Sequence, residues 1–394
     1  MNFLKKITKT ETQYLFLSFS VFLFLYPSFT WDYISIVTPI AFLLLMLSFG
    51  IETFIKKRIQ FKPYLFIYVF YYLVYVNVVG IPVDPSFVTT PILISIIFLT
   101  FSYDTLYKTF RVFVNVFGFF LSLSLLFFIL KFIGIYSPNF DIQVAPDGRE
   151  YQSYLFNTMW LGTQYNAVYL STGFYRFHSF LNEPGFVGTI SSLIIVALKF
   201  DFSRYRILYV YLLASCLSMS LASYLTLFIG VLYFTSLKRA LYFIIPFFII
   251  ATFNYDLFDR YILSRIFTDE GGFIDDNRTS LSFDAKFGQL LNSNNIFLGL
   301  GKGQHTLSTQ DGGVSSWKAI VYNNGLIGLG IYLTIFMTIF FAIKRRGLNN
   351  NYYYLFLFVF LLTIYHRPNI HNIYYLLILF GGLLHKPNFK KELL

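Results

Sequence analysis

The chain has 394 residues, of which 56% are hydrophobic and only 12% are charged. Soluble domains carry about a quarter charged residues, so this composition indicates a membrane protein. A single cysteine, Cys216, excludes a disulfide framework and a thiolate metal cluster. The net charge is +11, and its meaning depends on where the basic residues lie along the chain.

Apolar runs recur along the chain at lengths near the roughly 20 residues that cross a bilayer as a helix. The predicted spans are 13–30, 33–51, 64–80, 87–102, 112–136, 185–198, 207–237, 240–255, 318–343, 352–365 and 373–384. The first run is followed by Trp31-Asp32 and not by a small-residue cleavage site. We therefore expect it to be a spanning helix that stays in the protein.

Clusters of lysine and arginine lie between these runs and indicate cytoplasmic loops. They are Lys5/Lys6/Lys9, Lys56/Lys57/Arg58/Lys62, Lys108/Arg111, Lys199/Arg204/Arg206, Lys238/Arg239, Lys344/Arg345/Arg346 and Lys386/Lys390/Lys391. All fall on one side if the N-terminus is inside and if the run 207–237 is two short helices that turn near Ser215–Ser220. This arrangement predicts about 12 membrane helices with both termini cytoplasmic. The positive charge is then a topology signal, and we expect no nucleic-acid partner.

The expected fold is therefore an all-α polytopic membrane protein, with residues 1–394 forming a single membrane domain. Two segments, 137–184 and 256–317, are too polar to span. By parity both face outward, which is the periplasm in a Gram-negative cell, and we expect them to contain short helices. The other loops hold only a few residues each, so these two loops are where we look for chemistry.

The first loop ends in Arg176, His178 and Glu183, directly before a predicted span. Pro184 suits the first turn of that helix, which places Glu183 at its N-cap, where exposed N–H groups favour a carboxylate. A carboxylate there can also accept the proton of a sugar hydroxyl. The two interpretations of Glu183 are compatible.

The second loop contains a predicted helix over Thr279–Leu291, because Phe283, Phe287 and Leu290/Leu291 recur at helical spacing. This apolar stripe suits packing on the bilayer surface or on the helix bundle. Arg278 stands at the start of the helix, and an arginine beside exposed helix N–H groups is a natural anion site.

A glycine run, Gly299-Leu-Gly301-Lys302-Gly303, follows that helix, and His305 comes two residues later. Glycine lets the backbone turn tightly and approach a ligand closely. The strand–turn–helix context of a nucleotide-binding loop is absent, so the run is not interpreted as one. His305 is a candidate base, although a single loop histidine is more often a surface residue.

A short outward turn between the last two spans carries His366, Arg367 and His371. These residues either contact substrate or cap the two helices. The loop arginines Arg149, Arg260 and Arg265 have acids nearby in sequence and are expected to form solvated pairs. No His, Asp and Glu cluster has metal-ligand spacing, so a metal-independent mechanism is expected.

Three pieces of this pattern resemble bacterial O-antigen polymerases of the Wzy type. They are Arg176 shortly before Glu183-Pro-Gly185 at the opening of a span, Arg278 ahead of the glycine run, and Tyr322-Asn-Asn-Gly-Leu-Ile-Gly-Leu-Gly330 opening the next span. Chain length, helix number and the two large loops are also similar. The related O-antigen ligases usually carry a His-Asn pair where this chain reads Ser315-Ser-Trp-Lys318, which favours the polymerase.

The resemblance implies a glycosyltransferase in the bacterial inner membrane with its active site facing the periplasm. It would move a growing glycan from undecaprenyl diphosphate onto the next undecaprenyl-diphosphate-linked repeat unit. No cofactor is implied. Membrane lipid is an expected partner, and a chain-length regulator protein is a further candidate.

In this scheme two arginines bind diphosphate, two residues are catalytic candidates and seven contact substrate. They are Arg176 and Arg278, then Glu183 and His305, and then His178, Lys302, Gly301, Gly303, His366, Arg367 and His371. An O-antigen ligase and a lipid-linked oligosaccharide flippase remain alternatives. A flippase would need charges inside its spans. The predicted spans of this chain are nearly free of charge, and Lys131 is the one clear exception.

Overall fold

The computed structural model describes residues 9–58, 60–76, 90–135, 141–144, 150–154, 156–160, 176–234, 279–301, 304, 314, 316–345 and 351–386. The helices of these ranges are α1 (Lys9–Leu23), α2 (Ile34–Gly50), α3 (Pro63–Val69), α4 (Thr90–Leu99), α5 (Tyr103–Phe132), α6 (Pro184–Ala197), α7 (Leu208–Leu217), α8 (Leu221–Phe234), α9 (Leu281–Leu291), α10 (Trp317–Lys344), α11 (Asn351–Leu362) and α12 (Ile373–Leu384). The strands are β1 (Asp141–Val144), β2 (Glu150–Tyr154) and β3 (Asn157–Trp160).

Three helical segments of the described chain are long and apolar enough to cross a membrane: Ser28–Ile55, Tyr103–Phe132 and Trp317–Lys344. Shorter apolar helices of 10–17 residues accompany them. A helix rises about 1.5 Å per residue, so these shorter helices do not reach across the roughly 30 Å of hydrocarbon unaided. The fold is thus a predominantly helical membrane protein, and the number of about 12 spans stays a prediction.

The predicted break in the run 207–237 is confirmed, since α7 ends at Leu217 and α8 begins at Leu221. Met219, between them, has a φ of 44°, a left-handed conformation that reverses the chain. The predicted span 240–255 lies outside the described residues.

The described residues between 141 and 160 of the first loop form a small antiparallel sheet in the order β1-β2-β3, where short helices were expected. Asp141 pairs with Ser153, and Tyr151 pairs with Trp160. Tyr151 is fully buried and packs on Trp31 with ring centroids 5.2 Å apart. Polar and apolar residues alternate in Asp-Ile-Gln-Val, and Pro-Asp-Gly before β2 is a turn signal. The all-α expectation therefore does not hold for this loop.

The chain forms two compact units, each drawn from separated stretches of sequence. Unit 1 comprises Met1–Lys56, Tyr103–Leu263 and Leu377–Leu394, and unit 2 comprises Lys57–Ser102 and Ser264–Leu376.

In unit 1, α1 packs against α2 and α5, and α6 packs against α7 and α8. Aromatic rings fill this core; for example, Phe22 stacks on Phe120 at 4.7 Å. Gly188 of α6 lies so close to the α7–α8 turn that an added Cβ would stand 2.4 Å from Ser218 Oγ. Helix α6 therefore packs directly on the turn.

In unit 2, two glycine-containing segments interlock through their backbones. Leu300 N–H donates to Tyr322 O at 2.9 Å, and Gly301 N–H donates to Asn323 O at 2.9 Å. Ile327 N–H donates to the carbonyl oxygen of Phe297 at 3.1 Å. The glycine run is thus paired with the broken first turns of α10.

Two glycines make this pairing sterically feasible. Gly299 has a φ of 81°, and Gly325, which interrupts α10, has a φ of 67°. A Cβ at Gly299 would stand 2.4 Å from Asn323 O, and one at Gly325 would stand 2.2 Å from Phe297 O. A side chain at either position meets backbone, which cannot move aside easily.

Gly325→Ala should therefore destabilise the protein by about 2 kcal/mol or more, through strain and overpacking together. Gly330→Ala is the matched control, because Gly330 lies in the same helix with nothing within 4 Å of its added Cβ. The control should be neutral or slightly stabilising, since alanine favours helix by about 1 kcal/mol over glycine. Unfolding by denaturant in detergent micelles measures both. Equal stability of the two variants would show that the interlock does not constrain the fold.

Candidate functional site

The segment 176–183 enters α6 after docking on the α7–α8 turn of unit 1. Arg176 donates from Nε to Ser218 O at 3.0 Å and from Nη2 to Met219 O at 2.8 Å. The next residue, Phe177, donates its backbone N–H to Leu217 O at 3.0 Å. Three consecutive carbonyls at the end of α7 thus accept hydrogen bonds from two consecutive residues.

The physical reason for this contact is the end of a helix in an apolar surrounding. The last carbonyls of a helix have no partner within it, and lipid offers none. A cation is favoured at this end by the helix dipole. Arg176 is only 4% exposed, so its guanidinium is held in a fixed position at the start of α6.

The remaining carbonyls of the turn are paired locally. Tyr224 Oη of α8 donates to Cys216 O at 2.6 Å, and Ser218 Oγ donates to Ser215 O at 2.8 Å. The backbone carbonyls of residues 215–219 therefore all accept hydrogen bonds.

His178 is the most unusual side chain of this segment. It is 2% exposed, and neither ring nitrogen has a hydrogen-bond partner among the described residues. Burial, followed by the charge of Arg176, lowers the pKa of His178 to about 3, while the nearby Glu183 acts in the opposite direction. The imidazole is therefore neutral at pH 7, and one nitrogen is a proton acceptor.

Glu183 occupies the N-cap position of α6, as predicted, with Pro184 in the first turn. Its backbone is extended, with φ −146° and ψ 138°, and its carboxylate makes no capping hydrogen bond. Its backbone carbonyl accepts from Phe186 N–H at 3.0 Å. The side chain is half-buried beside the helix N-terminus, where negative charge is stabilised.

Arg176 and Glu183 thus both lie within electrostatic range of His178 at one helix start. A fixed cation, a neutral imidazole and a carboxylate provide the elements for binding an anion and orienting a hydroxyl.

In unit 2, the predicted helix with its apolar stripe is confirmed as α9. Phe283, Phe287 and Leu290 are buried against Val321 and Tyr322 of α10, whereas Leu291 is exposed. The stripe therefore packs on protein. Arg278, Lys302, Gly303 and His305 lie outside the described residues. The N–H of Gly301 is occupied by Asn323 O, so this glycine has a structural role.

The sequence prediction did not single out an ion pair that joins α9 to α10. Lys318 Nζ lies 2.9 Å from Asp284 Oδ1, and Thr279 Oγ1 donates to Asp284 Oδ2 at 2.8 Å. The Lys318 side chain is largely buried and also approaches the Phe287 ring, 5.8 Å from its centroid. Lys318 belongs to the stretch Ser315–Lys318 that was compared with the ligases. Its partner Asp284 lies in the first turn of α9, and this acid was the sequence feature that could have indicated the pair.

The turn with His366, Arg367 and His371 is anchored to its own unit. Tyr332 Oη of α10 donates to Pro368 O at 2.6 Å, and Ser95 Oγ of α4 donates to His371 O at 3.0 Å. The His371 ring is tilted against the Tyr72 ring, with centroids 4.9 Å apart, and burial lowers the pKa of His371 to about 4. The backbone N–H groups of His366 and Arg367 both donate to Thr363 O. These contacts support the helix-capping interpretation.

The sequence analysis also did not predict a buried polar network in unit 1. Glu52, 1% exposed, accepts hydrogen bonds from Gln13 Nε2 and Thr105 Oγ1, both at 2.9 Å, and lies 3.7 Å from Lys56 Nζ. Lys56 was interpreted only as part of a cytoplasmic cluster. In the part of the chain that the structure describes, no group of three His, Cys, Asp or Glu residues could hold a metal ion.

No family model, curated protein or solved structure matches this chain. The family relationship therefore rests on the sequence motifs and stays a resemblance.

The ion pair between Lys318 and Asp284 should couple α9 to α10. In a double-mutant cycle with Lys318→Met and Asp284→Asn, we expect a coupling energy of about 1–3 kcal/mol, because the lysine is largely buried. Lys108 and Asp104 form the control pair, with the same 2.9 Å separation but both side chains nearly half exposed. That pair should couple by less than about 1 kcal/mol. Additive effects at Lys318 and Asp284 would contradict this expectation.

Proposed function

We propose that the protein is a Wzy-type O-antigen polymerase. It transfers a growing glycan from undecaprenyl diphosphate to a sugar of the next undecaprenyl-diphosphate-linked repeat unit, at the periplasmic face of the inner membrane. The observation that carries the proposal is the guanidinium of Arg176, fixed by two backbone carbonyls at the start of α6. The apolar helical fold and the sequence resemblance support the same conclusion.

The chemistry of this transfer matches a site that has fixed cations. The acceptor hydroxyl oxygen attacks the anomeric carbon of the donor sugar and loses its proton. The bond from that carbon to the diphosphate oxygen breaks, and undecaprenyl diphosphate leaves with the electron pair. Negative charge develops on the leaving group, and a preorganised arginine stabilises it without ATP.

Arg176 and Arg278 are assigned to the diphosphates, and Glu183 is the first choice for the base that orients the acceptor hydroxyl. Both of these contacts of Arg176 are to neutral backbone carbonyls, which do not cancel its positive charge. His305 is the second choice for the base. The resemblance motivates the roles of Arg278 and His305.

The alternatives differ in what they require. A ligase of the related family usually has a His-Asn pair where this chain has Ser315-Ser-Trp-Lys318. A flippase needs charges along its membrane path, whereas the predicted spans are nearly free of charge, with Lys131 as the one clear exception. Both observations favour the polymerase.

Deleting the gene tests the class of function in the source bacterium. Lipopolysaccharide separated on a gel should show cores that carry a single repeat unit, since ligation and translocation continue without polymerisation. Cores without any repeat would contradict the polymerase and indicate a ligase or a flippase.

Complementation with variants tests the site. Arg176→Ala and Arg278→Ala should abolish chain extension, by about 100-fold or more if each removes one strong transition-state contact. Arg149→Ala is the control from the first loop, because Glu150 adjoins it. Protein levels must be measured, since Arg176 also pairs two buried carbonyls. Arg176→Lys keeps the positive charge, so it separates the loss of charge from the loss of the hydrogen bonds to the two buried carbonyls. Normal banding with Arg176→Ala would refute the assignment.

A further inference from the structure

One end of unit 1 carries arginines at the level of the membrane surface. Helix α5 has 30 residues, and Lys108 and Arg111 lie on the helix itself, not in the loop where the sequence placed them. Residues 112–130, which follow, contain no charge. This stretch is about 28 Å long, close to the roughly 30 Å of hydrocarbon, so Arg111 falls at the depth of the lipid headgroups.

Arg111 meets a second arginine from the segment between α6 and α7. The guanidinium carbons of Arg111 and Arg204 lie 5.9 and 5.4 Å from the ring centroid of the same residue, Tyr205. Cations are attracted to such a ring. Neither arginine forms an ion pair within the described residues. Two like charges beside one ring raise the local positive potential, which attracts anions.

The nearby acids only partly neutralise this pair of arginines. Asp201 Oδ1 accepts hydrogen bonds from Ser203 Oγ at 2.8 Å and from the backbone N–H of Arg204 at 3.1 Å, so it caps the local turn. Asp104 lies 2.9 Å from Lys108. Because Lys108 and Asp104 balance each other, the two arginines against Asp201 leave a net positive charge among the described residues here.

The residues behind Tyr205 form a fixed support. The Tyr205 ring lies 5.8 Å from the ring of His385, which is fully buried, and Tyr107 Oη lies 3.0 Å from His385 Nδ1. The Nε2 atom of His385 has no partner in the described chain.

An apolar surface continues from the arginines along α7. Tyr209 is 61% exposed and Leu213 is 42% exposed. They are four residues apart in α7, which places both on one face of this helix. An acyl chain can lie on this face while its headgroup stays at the arginines.

We propose that Arg111 and Arg204 bind the phosphate of an anionic phospholipid, whose acyl chain lies along Tyr209 and Leu213. Two cations that form no ion pair within the described residues favour a lipid with net negative charge over a zwitterionic one. The adjoining apolar face favours a lipid over free phosphate. This inference is independent of the proposed function.

The test is a titration of the purified full-length protein in detergent with short-chain phosphatidylglycerol, phosphatidylcholine and inorganic phosphate, monitored by native mass spectrometry. Phosphatidylglycerol should bind the wild type more tightly than phosphatidylcholine. Arg111→Ala with Arg204→Ala should weaken phosphatidylglycerol binding by about thirtyfold, at about 1 kcal/mol for each basic residue.

Arg345→Ala is the matched control, because Arg345 is an exposed arginine at the end of α10. It should keep the affinity of the wild type. If the double variant does not fold, Arg204→Gln in the exposed turn replaces it, with an expected weakening of about fivefold. Three results would overturn the proposal: equal affinity for the two lipids, competition by inorganic phosphate at similar concentrations, or an equal loss in the Arg345 variant.

Discussion

The carbonyl groups at the end of a short helix inside an apolar protein need donors, and this requirement organises unit 1. Helix α7 ends after 10 residues, and the chain reverses into α8. The carbonyls of residues 215–219 all accept hydrogen bonds, from Ser218 and Tyr224 and from the segment that contains Arg176 and Phe177. An unpaired carbonyl there would cost about 1–3 kcal/mol. The end of the first polar loop and the α7–α8 turn therefore form one structure.

This arrangement gives Arg176 two roles that follow from the same geometry. Its contacts with Ser218 and Met219 pair buried carbonyls, and they also fix a positive charge at the start of α6. A fixed charge needs little reorganisation when negative charge develops on a bound ligand. His178 and Glu183 occupy the same helix start, so the residues that close the fold are also those proposed for the chemistry.

Charge and periodicity in the sequence predicted much of this layout. The positive-inside rule required a break near Ser215–Ser220, and the structure has it. Helical spacing predicted α9 and its buried face, and Pro184 predicted the position of Glu183. These features are local, or they follow from a count of membrane crossings.

Features that depend on distant pairing were not predictable from the sequence. Gly299 and Gly325 looked like a ligand loop and a helix opening, but each accommodates the backbone of the other segment. The alternation of polar and apolar residues in the first loop indicates a sheet only when the Pro-Asp-Gly turn before β2 is recognised as well. The carbonyl partners of Arg176 are more than 40 residues away in sequence, and nothing in the residues themselves indicates which arginine closes a helix end.

The most direct test of the proposed polymerase is reconstitution. The purified protein in liposomes would receive only undecaprenyl-diphosphate-linked repeat units, without ATP, and the lipid-linked products would be sized. The proposed function predicts glycans of two or more repeats and release of undecaprenyl diphosphate, and both should be lost with Arg176→Ala. Repeat units that remain single while the protein is folded and lipid-bound would contradict it.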